Sequence, residues 1–108
     1  MNLVVRLMRI IEVKEDKKQY LDLLLLADEQ ENMIDRYLDK GKMYVLDDNG
    51  IKCECIVTDE GSDVLEIKNI ATVPDYQGKG YAKSLIDFIV EKYSCLLYTS
   101  PSPRDMRR

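Results

Sequence analysis

Six residues, Gln77-Gly78-Lys79-Gly80-Tyr81-Ala82, combine the features that anion binding asks of a backbone. Two glycines let the main chain approach a ligand closely. The apolar period that starts just after them predicts a helix whose first turn presents N–H groups without intrahelical acceptors. Those amides and the helix dipole favour a diphosphate without many cationic side chains, while Lys79 and Lys83 add charge from the flanks. The same six residues also suit an ordinary glycine turn capping a helix. Elsewhere the choice of catalytic groups is narrow. Histidine is absent, so proton transfer falls to carboxylates, Tyr, Cys, Lys or water, and no His-ligated zinc site can form.

Two familiar phosphate loops fail on named residues. A Walker loop ending at Lys83-Ser84 needs glycine where Gln77 and Ala82 stand. A dinucleotide fingerprint starting at Gly78 needs glycine or alanine where Lys83 stands, within a parallel βαβ unit opening the chain. The three cysteines, Cys53, Cys55 and Cys95, are an odd number without secretory context and read as reduced thiols. Cys53 and Cys55 share one face of an expected strand, where a buried thiol behaves as a small hydrophobe, the alternative being a metal site. We expect no metal.

The elements that must position the loop follow from period and punctuation. Met8 to Val13 reads as a first strand, and apolar residues at helical spacing in Lys17 to Ala27 and Asp28 to Lys40 predict two amphipathic helices, the second ended by Gly41. Lys42 to Leu46 and Ile51 to Thr58 flank Asp47-Asp48-Asn49-Gly50, a strong hairpin signal. Val64 to Val73 is a longer strand closed by Pro74. Ala82, Leu85, Ile86, Ile89, Val90 and Tyr93 recur at three and four residues and mark a helix over Tyr81 to Tyr93, after which Cys95 to Tyr98 is expected as a short strand. The expected order is β-α-α-β-β-β-α-β, an α+β domain with a mixed, mostly antiparallel sheet.

With these elements around it, Gln77, Gly80 and Ala82 fill the pattern [Arg/Gln]-x-x-Gly-x-[Gly/Ala], and residues 8–98 resemble the GNAT superfamily of acyl-CoA-dependent N-acyltransferases. Asn69-Ile70-Ala71-Thr72-Val73-Pro74 is similar to the family's strand leading into the loop. The resemblance implies a three-layer fold in which backbone amides from Gln77 through Ala82 hold the pyrophosphate of acetyl-CoA, with Lys83 adjacent. It implies that the strand end at Ala71, Thr72 and Val73 pairs with the pantetheine arm, and that a nearby amide polarises the thioester carbonyl. It also places Glu66 where histone-acetylating relatives carry a catalytic glutamate. Side chains alternate along a strand, so Glu66 shares a face with Lys68, and a solvated ion pair is the competing reading.

The resemblance stops before the family's last helix and closing strands, so a C-terminally truncated domain over 8–98 is expected, with 1–7 as an extension. The stretch 99–108, Ser-Pro-Ser-Pro followed by Arg-Asp-Met-Arg-Arg, is expected to be disordered and non-native. The expected activity is acetyl transfer from acetyl-CoA to a primary amine of a small molecule or protein by direct attack. The alternative is a CoA-binding or regulatory module without turnover. Sixteen basic against twenty acidic residues, net charge −4, disfavour nucleic acid as a partner. No apolar run approaches the ~20 residues that cross a bilayer, so neither membrane nor secretion is expected and the cytoplasm is the default compartment.

Overall fold

The computed structural model describes residues 8–98, with side chains as far as Ser94. The expectations for 1–7 and 99–108 lie outside the described residues. Four strands, β1 (Arg9–Val13), β2 (Lys42–Asp47), β3 (Ile51–Asp59) and β4 (Leu65–Thr72), form one sheet in the order β1-β2-β3-β4. All three pairings are antiparallel, with Val13 opposite Met43, Tyr44 opposite Cys55 and Cys55 opposite Ile70. A 3-10 turn at Lys17–Tyr20 and the helices α1 (Leu21–Ala27) and α2 (Glu31–Leu38) connect β1 to β2, and α3 (Tyr81–Tyr98) follows β4.

Alternation along the strands makes this a three-layer structure. Val13, Met43, Val45 and Ile56 point to one face and pack with Leu24, Ile34 and Leu38 of α1 and α2. Tyr44, Leu46, Cys53, Cys55 and Val57 point to the other and pack with Leu85 and Ile89 of α3. Complete burial of Leu24, Ile34 and Leu85 contributes about 2–3 kcal/mol each. The other apolar positions of the α3 period divide, with Ala82 and Tyr93 packing on this layer and Val90 exposed.

The β2–β3 hairpin forms where expected, with the Gly50 N–H bonded to Asp47 Oδ1 at 2.9 Å and with Asn49 and Gly50 at φ 60° and 114°. These are the left-handed values that such a turn requires. The Gly41 N–H bonds the Tyr37 carbonyl at 2.8 Å just past the end of α2, and the residue has a packing role besides. The α2 helix stops at Leu38, and a Cβ on Gly41 would lie 2.8 Å from Ile56 Cγ2 and 2.9 Å from the Val57 carbonyl oxygen. Glycine is required there for close packing of chain on chain.

The strand expected at Cys95–Tyr98 is instead the end of α3. No glycine or proline interrupts residues 81–98, the first proline beyond being Pro101, so nothing stops the helix, and a four-residue apolar run cannot overrule the preceding period. With that strand gone, the described sheet is wholly antiparallel, not mixed. Among the described residues no helix is long and apolar enough to cross a membrane, and no group of three or more Cys, Asp or Glu gathers as for a metal ion.

Candidate functional site

β4 is the last strand of the sheet, so its outer edge has no strand partner among the described residues. Such an edge presents unpaired N–H and C=O groups in register. At its C-terminal end the ladder continues one residue further through the Val73 N–H bonded to the Lys52 carbonyl at 2.8 Å. Pro74–Tyr76 then makes a 3-10 turn, and Gln77 Nε2 reaches back to the Thr72 carbonyl at 3.3 Å.

The loop is tethered to the β2–β3 hairpin by aromatic residues at both of its ends. Lys52 Nζ lies 4.1 Å from the centre of the Tyr76 ring, Tyr76 meets Tyr81 edge-on at 6.4 Å, and the Tyr81 hydroxyl donates to Asp48 Oδ2 at 2.6 Å. Gly78 and Gly80 have φ of 80° and 85°, and a Cβ on either would meet nothing within 4 Å. Conformation, not crowding, therefore requires glycine, and the space before the loop is open. The Ser84 N–H bonds the Gly80 carbonyl at 3.0 Å and starts α3, whose first turn directs its N–H groups back over the loop.

Ala71, Thr72, Gln77 and Ala82 come together, with Leu26 and Ile70, around a cavity of about 210 Å³ between the strand end and the helix start. Val73, Gly78, Lys79, Gly80 and Tyr81 form the turn beside it. Lys83 is drawn elsewhere, into an exposed pair with Asp87 at 2.7 Å one helical turn along. Glu66 lies at the far end of β4, five residues or ~16 Å from Ala71. There it is paired with Lys68 at 2.9 Å. Between them β4 bulges: Val57 faces Ile67 and Ile56 faces Asn69, leaving Lys68 as the extra residue. A bulge of this kind re-aims the side chains beyond it.

A second polar group, which no sequence motif marks, lies under α1 and α2. Asn69 is buried and donates through Nδ2 to the Leu24 carbonyl at 3.1 Å and to Tyr37 Oη at 3.0 Å, while the Tyr37 hydroxyl donates to Asp28 Oδ2 at 3.2 Å. Glu54, opposite Ala71 in the sheet, is completely buried. Burial pushes its carboxyl from 4.5 up to about 8. Burial, reinforced by Glu54, also pushes the neighbouring Cys55 thiol up to about 12, so this thiol is inert. The signal available in the sequence was a carboxylate between two cysteines and followed by Ile56 and Val57.

A model of the acetyltransferase (GNAT) domain matches residues 39–104. The chain belongs to the GNAT acetyltransferases. It is 31% identical over 86 residues to an uncharacterized N-acetyltransferase, YvbK, of Bacillus subtilis strain 168, covering 79% of this chain and 56% of that protein. Among solved GNAT-like structures, an IAA acetyltransferase from Bacillus cereus superposes with TM-score 0.73 at 32% identity, over 82% of this chain and 59% of that one. A GNAT family acetyltransferase from Elizabethkingia anophelis with acetyl-CoA bound gives 0.74 at 30% identity, over 81% and 57%. A Bacillus subtilis acetyltransferase in complex with CoA gives 0.74 at 31% identity, over 82% and 59%. The chain therefore spans somewhat under three-fifths of the length of these relatives.

Proposed function

We propose that the protein transfers an acetyl group from acetyl-CoA to a primary amine by direct attack, without a covalent acyl-enzyme. The observation that carries this reading is the open loop at Gly78 and Gly80, set between the edge of β4 and the start of α3 and flanked in sequence by Gln77 and Ala82, which line the cavity at Ala71. In this reading the backbone N–H groups of residues 77–82 hold the pyrophosphate, and Lys79 supplies charge from the rim. Main-chain groups of residues 71–73 pair with the pantetheine amides as an added strand would, which the unpartnered edge of β4 supports. A backbone N–H at the same edge stabilises the oxyanion of the tetrahedral intermediate.

A GNAT relative with acetyl-CoA bound and another with CoA bound support the choice of donor. Family resemblance assigns the proton acceptor to Glu66, which is exposed enough to exchange protons with water but is engaged by Lys68.

Thermal unfolding with acetyl-CoA tests the donor half: ligand at 100 times Kd raises stability by about 2.7 kcal/mol, and no shift at millimolar acetyl-CoA refutes it. Release of free CoA on adding a panel of primary amines tests the transfer half. Binding without release would instead support a CoA-holding module.

A further inference from the structure

Three completely buried acceptor atoms between the sheet and the α1/α2 layer have no hydrogen-bond donor among the described residues: Glu54 Oε1, Glu54 Oε2 and Asn69 Oδ1. Unpaired acceptors at such depth cost about 1–3 kcal/mol each, so a protein that keeps three together requires a reason. Glu54 faces Ala71 and Asn69 faces Ile56, which puts the two polar residues on one face of adjacent strands, one diagonal step or ~7 Å apart.

The groups around them are Val45 of β2, Leu24 of α1, Ile34 and Tyr37 of α2, with Asp28 beyond Tyr37. Cys53 and Cys55 flank Glu54 on its own strand but belong to the opposite face. Tyr37 is raised chiefly by its burial, and Glu54 is among the charges that add to this. None of these groups is a cation. The donors present, Asn69 Nδ2 and the Tyr37 hydroxyl, are already engaged, so once Glu54 is ionised its two oxygens and Asn69 Oδ1 face no free donor among these groups. What would complete it is a compact positive group rich in N–H donors, which describes a primary ammonium.

We propose that Glu54 and Asn69 Oδ1 form the recognition site for the ammonium of the acetyl acceptor, entered from the cavity at Ala71. The inference rests on the acetyl-transfer reading and narrows its substrate class to unhindered primary alkylamines. Ala71 lines that cavity and stands directly across from Glu54, with only a methyl group as side chain, and Leu26, which lines the same cavity, is 53% exposed. Bound to the ammonium, the Glu54 carboxylate takes one N–H proton and leaves a neutral amine. The amine nitrogen forms the C–N bond to the acetyl carbon and the C–S bond breaks. The second nitrogen proton goes to the departing thiolate to give CoA thiol, and Glu54 returns its proton to water. This role displaces the one assigned to Glu66, which pairs with Thr58, four β3 residues or ~13 Å from Glu54.

Carboxyl 13C NMR of the full chain tests the site without requiring turnover, the Glu54 signal being the one absent from Glu54→Gln. Alone, Glu54 titrates at about 8. With propylamine in saturating amount its midpoint falls by at least one pH unit, while tetramethylammonium, which has no N–H, leaves it in place. An unmoved midpoint in 100 mM propylamine overturns the proposal. In the CoA-release assay, Glu54→Gln loses about 100-fold with propylamine, whereas Glu91→Gln, exposed on α3, stays within threefold. Equal activity of Glu54→Gln and the unaltered chain also overturns it. Glu54→Gln keeps the thermal shift with acetyl-CoA, so failure of that shift in both proteins refutes the donor reading and not the amine site.

Discussion

Glu54 should make this fold weaken as pH rises through neutrality, opposite to the acid sensitivity that paired carboxylates confer. Its carboxyl titrates at about 8 when folded against 4.5 when exposed. Below the lower value both states carry the proton and no penalty exists. Between the two values the unfolded chain gives up its proton while the folded one retains it, so unfolding becomes more favourable by about 1.4 kcal/mol per pH unit. From pH 5 to 7.5 the loss is about 3 kcal/mol, and above pH 8 it levels off. A domain of this size has roughly 5–15 kcal/mol in total, so the effect is easily measured.

Glu54→Gln keeps the shape and removes the titration. Urea unfolding followed by circular dichroism at half-unit intervals of pH should show the two proteins diverging by that amount, with the variant the flatter. The other shifted carboxyl does not confuse the window. Asp47 is held low by the Gly50 N–H and then by Arg9, so its contribution is present above the usual carboxylate range and is lost only on going acid. A stability difference between wild type and Glu54→Gln that stays constant from pH 5 to 7.5 would rule out a raised Glu54 carboxyl.

Gly41→Ala should destabilise by about 1–3 kcal/mol in urea without changing the pH slope, because its Cβ would overlap Ile56 and the Val57 carbonyl; a neutral result would mean that these strands move apart freely. Gly80→Ala meets no atom but must hold φ 85°, so it should cost about 1 kcal/mol in unfolding and weaken acetyl-CoA binding, read by calorimetry, by a larger factor. Equal loss in both would argue against the loop as the ligand's seat. Asn69→Ala should cost about 2 kcal/mol by leaving the Leu24 carbonyl without its donor, measured by thermal unfolding at pH 6.

Local punctuation was the readable part of this sequence. Asn49-Gly50 needs left-handed backbone and therefore a turn, Pro74 cannot extend a ladder, and the period after Gly80 can only pack one face. Those three features located the strand, loop and helix that frame the cavity at Ala71. The limits came from tertiary context. Cys95–Tyr98 was read by its apolar residues, yet continuation of an uninterrupted helix decides its state. The bulge at Lys68 has no marker, since no glycine accompanies it.

Glu54 shows the same limit most clearly. In Ile-Lys-Cys-Glu-Cys-Ile-Val the alternation assigns the cysteines to one face and the glutamate to the other, and for a strand with one wet face that places the carboxylate in water. β3 is instead an interior strand covered on both sides, by α3 below and by α1 and α2 above, so the polar position of the alternation is as buried as the apolar one. A strand interior to a three-layer domain offers no outside. A carboxyl retained there, with no hydrogen-bond partner among the described residues, fits the amine site proposed for it.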